Sequence, residues 1–326
     1  MAETNQSGNG NNHHEVIIQT RKLRRVFGKT VAVDGLDLTI YRGEIFGLVG
    51  PDGAGKTTTL RLLAAIMDPT SGSATVAGYD TVRDAEAIKE RIGYMAQVFS
   101  LYGDLSVDEN LNFFADVFGV PRKVRQERIE RLLEFARLTE FRKRRAAKLS
   151  GGMQKKLGLA CTLIHEPEIL YLDEPTTGVD PVSRREFWDI LTDLHVQGVT
   201  IVVSTPYMDE AERCSRVGLM YQGQLIECDT PEAIRKRVPG KVLQFLPSDR
   251  LKARAILRNT PQIHEVQSFG ELLNVFVDDV KEGEQVIREV LGKAGISVSN
   301  LRQVQPRMEE AFVSLIRRRA RARAGG

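Results

Sequence analysis

The sequence predicts an α/β fold built on a mainly parallel sheet with helices on both faces, followed by a smaller α+β module. Three continuous apolar runs carry the first part: "GEIFGLVG" at 43–50, "EILYLDEP" at 168–175 and "VTIVVST" at 199–205. They lack polar alternation, as strands buried on both faces require, and segments of helical period stand between them. The second part rests on the order strand, helix, strand, strand, helix, strand after Pro239-Gly240, which is that of a ferredoxin-like module.

Taken in order, residues 1–15, "MAETNQSGNGNNHHE", are polar and lack the apolar core of a signal peptide, so a disordered tail is expected. Strands are expected at 16–24 and 37–48, in a first sheet. "KTTTLRLLAAIM" at 56–67 has a helical apolar face, and with 43–50 it forms strand, glycine loop, helix. Between 105 and 145 charges are dense and the apolar period is near 3.6, which predicts a helical subdomain over about 98–165. The first domain is expected to span 16–239. In the module at 240–316, "KVLQFLP", "HEVQSFG", "LLNVFVDD" and "VSNLRQVQ" read as strands. "DRLKARAILRN" and "EGEQVIREVLGKAG" read as helices between them, with a last helix near 307–319. The basic residues at 317–326 are expected to form a solvated tail. No internal repeat is present.

Composition narrows the function. The 326 residues are 42% hydrophobic and 27% charged, an ordinary globular balance, and long enough for two domains. A net charge of +3 gives no argument for nucleic acid. No apolar run approaches the roughly 18 residues that span a bilayer. Cys161, Cys214 and Cys228 are far apart, without metal spacing, and are expected as buried small hydrophobes in a reducing cytoplasm.

Three motifs carry chemistry. "GPDGAGKT" at 50–57 matches G-x-x-x-x-G-K-[ST] between a strand and a helix. Gly53 and Gly55 let the backbone curl so that its N–H groups face phosphate oxygens, and the helix N-terminus adds partial positive charge. Lys56 is placed to reach the β- and γ-phosphates and Thr57 to ligate Mg²⁺. In "ILYLDEP", Asp173 at the strand's carboxyl end can hold that metal and Glu174 can act as general base toward water. Adjacent acids at a strand end can also be merely solvated; beside a phosphate loop the functional reading prevails. In "LSGGM", Ser150 before Gly151 and Gly152 reads as a helix cap that forms a second anion-binding nest.

In that order, "GPDGAGKT", "LSGGM" and "ILYLDEP" resemble the nucleotide-binding subunit of an ATP-binding cassette (ABC) transporter, over about residues 16–238. The resemblance implies a P-loop NTPase ABC nucleotide-binding domain, a mixed sheet with helices and a helical subdomain. ATP and Mg²⁺ are the implied cofactors. The nucleotide would be held by Gly50, Pro51, Asp52, Gly53, Ala54, Gly55, Lys56, Thr57 and Thr58, with Phe27 stacked on adenine. Glu174, Gln97 and Lys56 would be catalytic, and Thr57, Gln97 and Asp173 would serve the metal. Gly178 and Asp180 match a loop linking two ATP sites. Two positions depart from the family: Asp52 stands where Asn or Ser is common, and Pro206 replaces the switch histidine that contacts the γ-phosphate. Thr205 would cap the following helix with Pro206 at its first position.

One phosphate loop and one "LSGGM" imply a dimer, homo- or heteromeric, in which Ser150, Gly151 and Gly152 bind the ATP of the partner subunit. "MDEAERC", "DPVSRREFWDIL" and the C-terminal module are similar to ATPases of ABC-2 type exporters. A six-span permease would be contacted through about 97–110, with apolar tips at Phe99, Leu101 and Tyr102, and the chain would lie on the cytoplasmic face of the membrane. Because Pro206 lacks a donor, a weakened subunit of an asymmetric heterodimer is the alternative. A soluble ABC ATPase outside transport is a third reading.

Overall fold

The computed structural model describes residues 15–98, 101–238 and 240–324. The chain divides between Cys228 and Asp229 into two compact units. The first runs β1 (Val16–Phe27), β2 (Thr30–Tyr41), β3 (Ile45–Val49), α1 (Lys56–Leu63), β4 (Ser71–Val76), β5 (Tyr79–Asp80), α2 (Ala85–Lys89) and β6 (Ile92–Met95). It continues through α3 (Val107–Val117), α4 (Arg122–Phe135), α5 (Gly151–Leu163), β7 (Ile169–Asp173), α6 (Pro181–Val196), β8 (Thr200–Thr205), α7 (Met208–Ala211), β9 (Arg216–Tyr221) and β10 (Gln224–Asp229).

Two sheets result. One is antiparallel, in the order β2-β1-β4-β5. The other has the order β10-β9-β3-β8-β7-β6 and is parallel from β9 through β6. Every residue of β3, β7 and β8 is buried, which explains their unbroken apolar sequence. The expected strand 37–48 is in fact divided. Gly43 turns the chain at φ +73, so that β2 stays in the antiparallel sheet and β3 enters the other. Helix α1 also stops short of Met67, at a turn where Ala65 has φ +52.

The dense-charge region folds as α3 and α4, which pack with α5. A capping box fixes the start of α3: Ser106 Oγ accepts from the Glu109 N–H while the Glu109 carboxylate accepts from the Ser106 N–H. Leu101 and Tyr102 are described; Phe99 lies outside the described residues, as do residues 1–14 of the N-terminal tail. Cys161 and Cys214 are buried and Cys228 is half-buried, all as free thiols.

The second unit runs α8 (Pro231–Lys236), β11 (Lys241–Pro247), α9 (Arg250–Arg258), β12 (Glu265–Phe269), β13 (Leu272–Val277), α10 (Val280–Lys293), β14 (Val298–Val304) and α11 (Met308–Ala324). It takes in α8, which the sequence placed with the first domain. The sheet is antiparallel, in the order β12-β13-β11-β14 of a ferredoxin-like module. Leu243, Phe245, Leu273 and Val275 form one core with Leu257 of α9 and Ile287 and Leu291 of α10. The alternate positions carry a polar chain that runs from the surface inward: exposed Arg302 donates to buried Gln244 at 3.3 Å, Gln244 to Asn274 at 3.0 Å, and Asn274 to the buried Glu310 carboxylate of α11. Helix α11 continues to Ala324, so the expected tail from 317 is helical over most of its length. Alternating Ala and Arg are strong helix formers, and no glycine intervenes before Gly325. No helix among the described residues is long and apolar enough to cross a membrane.

Candidate nucleotide site

Parallel pairing puts the carboxyl ends of β3, β8, β7 and β6 side by side, the edge where open α/β sheets hold ligands. The loop from Gly50 to Thr57 leaves β3, Pro206 follows β8, Asp173 and Glu174 end β7, and Gln97 follows β6. A cleft of about 740 Å³ opens there, lined by the loop from Asp52 to Thr58, with Gln97, Glu174, Thr177, Pro206 and Tyr207 on the other side.

The loop is held by main-chain contacts. Gly55 has φ +101, and a Cβ on it would fall 2.3 Å from the Ala32 carbonyl oxygen of β2. The Gly223 N–H, in the turn between β9 and β10, donates to the Ala54 carbonyl at 3.0 Å, and the Asp34 N–H to Gly223 O at 2.8 Å. The Lys56 ammonium donates to the carbonyls of Gly50 at 2.9 Å and Pro51 at 3.1 Å, and pairs with Glu174 Oε1 at 3.1 Å. Both partners of that pair are buried.

Asp173 sits behind Thr57. Its Oδ1 accepts from Thr57 Oγ1 at 2.9 Å and from Ser204 Oγ at 2.7 Å. Tyr94 OH reaches Oδ2 at 3.4 Å, and burial together with the Asp173 charge raises its pKa, which keeps the phenol a donor. Glu174 has φ +47, a left-handed backbone that is costly for a residue with a Cβ and that clusters at functional sites. Gln97 Nε2 donates to Glu174 Oε2 at 2.9 Å, and Thr177 Oγ1 does so at 3.3 Å.

Other expected residues stand apart. Phe27 does not line the cleft, although its cross-strand partner Thr30 does; the Phe27 ring is partly exposed, with Arg25 over it. Ser150 caps α5 through the Met153 N–H, and Gly151 lines a second cleft of about 310 Å³ with Lys155, Thr177, Gly178 and Val179. Gly152 leaves no room for a side chain, since a Cβ would lie 2.5 Å from Ser183. Asp180 caps α6, accepting from the N–H groups of Val182 and Ser183, which lower its pKa.

Pro206 departs from the expected geometry. It precedes the N-cap residue, Tyr207, and is not the first helical residue. The Thr205 hydroxyl accepts from the Tyr207 N–H at 3.0 Å and donates to Glu210 at 2.6 Å. Thr176 Oγ1 also donates to Glu210 at 2.6 Å, so one buried carboxylate ties the chain before Pro206 to the chain after Glu174. Ser204, Tyr94, Thr177, Lys155 and Glu210 had no signal in the motifs. The adjacent hydroxyls of Ser204 and Thr205 at the end of an apolar strand were the nearest hint.

A glycine-rich phosphate loop at a strand's carboxyl end, with an acid on the neighbouring strand bonded to its threonine, defines a P-loop nucleotide-binding domain. A profile of the ABC transporter family matches residues 33–177. The probable multidrug ABC transporter ATP-binding protein YbhF of Escherichia coli is 44% identical over 285 residues, 87% of this chain, but the match spans only 49% of YbhF. The chain thus spans about half the length of that relative. The Nod factor export ATP-binding protein I of Cupriavidus pinatubonensis is 36% identical over 94% of this chain and 92% of its own length. The solved structure of cbiO1 from Clostridium perfringens, part of the ABC transporter complex cbiONQ, superposes with a TM-score of 0.64 at 25% identity, over 76% of this chain and 96% of its own. The chain belongs to the ABC transporter family and carries its ATP-binding cassette.

Proposed function

We propose that this chain binds and hydrolyses ATP as a subunit of an exporter, driving a separate permease. The observation that carries this is the meeting of Lys56, Thr57, Asp173, Gln97 and Glu174 at one cleft. The name of one relative, the Nod factor export ATP-binding protein I, supports the direction of transport.

In this reading the loop N–H groups and Lys56 bind the β- and γ-phosphates. A phosphate oxygen that draws the Lys56 ammonium away frees the Glu174 carboxylate from its pair. Glu174 then takes a proton from water as the water oxygen attacks the γ-phosphorus and the bond to the ADP oxygen breaks. Gln97 fixes the carboxylate and the water. Thr57, Asp173 and Gln97 offer oxygen donors to a metal, which suits Mg²⁺. When bound, Mg²⁺ would offset the negative charge of the phosphates.

Ser150, Gly151 and Gly152 would bind the nucleotide of a second cassette, so the working unit is a dimer. The permease would be a six-span ABC-2 type chain met through 97–110, which places the protein on the inner face of the membrane. Phosphate release by the purified chain, with Glu174→Gln as control, tests the ATPase; equal rates for both would refute it.

A second reading is favoured by Pro206, which lines the cleft and has no donor. Here the chain holds ATP and turns over slowly beside a better-equipped partner. A turnover unchanged by Pro206→His would defeat it.

A further inference from the structure

Lys155 lies one turn into α5, away from the phosphate loop. Its ammonium donates to the main-chain carbonyl of Gln97 at 2.7 Å, bridging 58 positions of sequence. The Gln97 side chain in turn donates to Glu174 at 2.9 Å. Lys155 also lines the second cleft, beside Gly151 and Gly178. One side chain therefore touches the cleft at the start of α5 and holds the segment that carries Gln97. Burial lowers the Lys155 pKa, and the charges of Asp173 and Glu174 oppose that shift.

We propose that Lys155 is a positioning residue, which couples the second cleft to the Gln97–Glu174 pair of the chain's own site. This rests on the proposed function, in which Ser150, Gly151 and Gly152 bind the nucleotide of a second cassette, Gly151 at the second cleft. The physical argument is one of tethering. The Gln97 amide orients Glu174 only while its own backbone is held, and Lys155 is the donor from α5 to that backbone. A nucleotide that draws α5 closer or lets it shift moves the carbonyl, and the Gln97 side chain with it. Misplacement of an orienting group by a fraction of an ångström affects turnover more than binding.

The test compares the full-length wild type with Lys155→Met, Lys155→Gln and Lys155→Arg. In Lys155→Met the turnover number should fall about ten- to a hundredfold, with the KM for ATP within about twofold of wild type. Lys155→Arg, which keeps a cationic donor, should recover most of the loss. Hydrogen exchange provides a readout independent of activity: the amides of residues 94–98 should exchange faster in Lys155→Met and Lys155→Gln, and not in Lys155→Arg. Unchanged exchange there in either folded variant lacking the cation overturns the proposal, whatever the turnover. An equal loss of turnover in Lys155→Arg overturns it as well. If the wild type releases no more phosphate than Glu174→Gln, the ATPase assignment fails and the exchange comparison alone decides on Lys155.

Discussion

Gln97 donates to Glu174 Oε2 at 2.9 Å while Lys56 pairs with Oε1 at 3.1 Å, so each carboxylate oxygen has its own partner. That division gives the acid a single orientation. Glu174→Gln keeps the shape and removes the proton acceptor. Phosphate release should fall by about 10²–10⁴, with ATP still bound, as a filter-binding assay run beside the rate assay would show.

Restoring a donor at position 206 should act in the opposite sense. Pro206 faces the cleft, and its replacement by histidine adds an N–H where the γ-phosphate would lie. One donor to developing charge is worth on the order of 10²–10³ in rate. Because Pro206 lies outside α7, the exchange should leave the melting temperature nearly unchanged while phosphate release rises.

Gly152→Ala should destabilise the first unit by about 1–3 kcal/mol, because the new methyl meets Ser183 at 2.5 Å. Ser183→Gly in the same chain should return part of the loss. Urea unfolding of the single and double variants measures both.

The polar chain of the second unit predicts a comparable cost. Glu310→Ala leaves the buried Asn274 amide without its acceptor and removes the partner of the Arg307 N–H, at about 1–3 kcal/mol. Glu310→Gln keeps one acceptor and should cost less, by the same unfolding measurement.

His165 gives a pH test. Its ring stacks on Phe118, its Nε2 bonds the Ile92 carbonyl at 2.9 Å, and its Nδ1 is buried without a partner. Burial, with the nearby Arg128 charge, lowers its pKa in the fold below the ordinary 6.5. The unfolded chain therefore binds the proton first. Stability should fall as pH drops from 6.5 toward the lowered value, and His165→Gln should flatten that part of the profile in thermal melts from pH 7.5 to 5.

Much of the fold was legible because its strands are buried on both faces. The sequences of β3, β7 and β8 admit few other readings, and the phosphate loop announces itself by spacing. The split at Gly43 was missed although Arg42 and Glu44 border the glycine, because the apolar residues beyond that short charged turn, Ile40 and Ile45, were read as one run. The helical end of α11 was missed because dense positive charge reads as solvated whether or not it is helical. At the site, the motif residues Lys56, Thr57, Asp173 and Glu174 could be named in advance. Lys155, Ser204 and Glu210 could not, since each acts through a partner that only the fold brings near: the Gln97 carbonyl, the Asp173 carboxylate, and the two threonine hydroxyls.

The contacts of Gly55 with Ala32, and of Gly223 with Ala54 and Asp34, carry one more consequence. They make the phosphate loop a mould that is set when the protein folds. The entropy of ordering that segment is charged to folding, so nucleotide affinity reflects phosphate contacts without a deduction for closing the loop. Holding ATP and consuming it thereby become separable properties: substitutions at Glu174 or Pro206 can change the rate of consumption by orders of magnitude and leave the grip on the nucleotide intact.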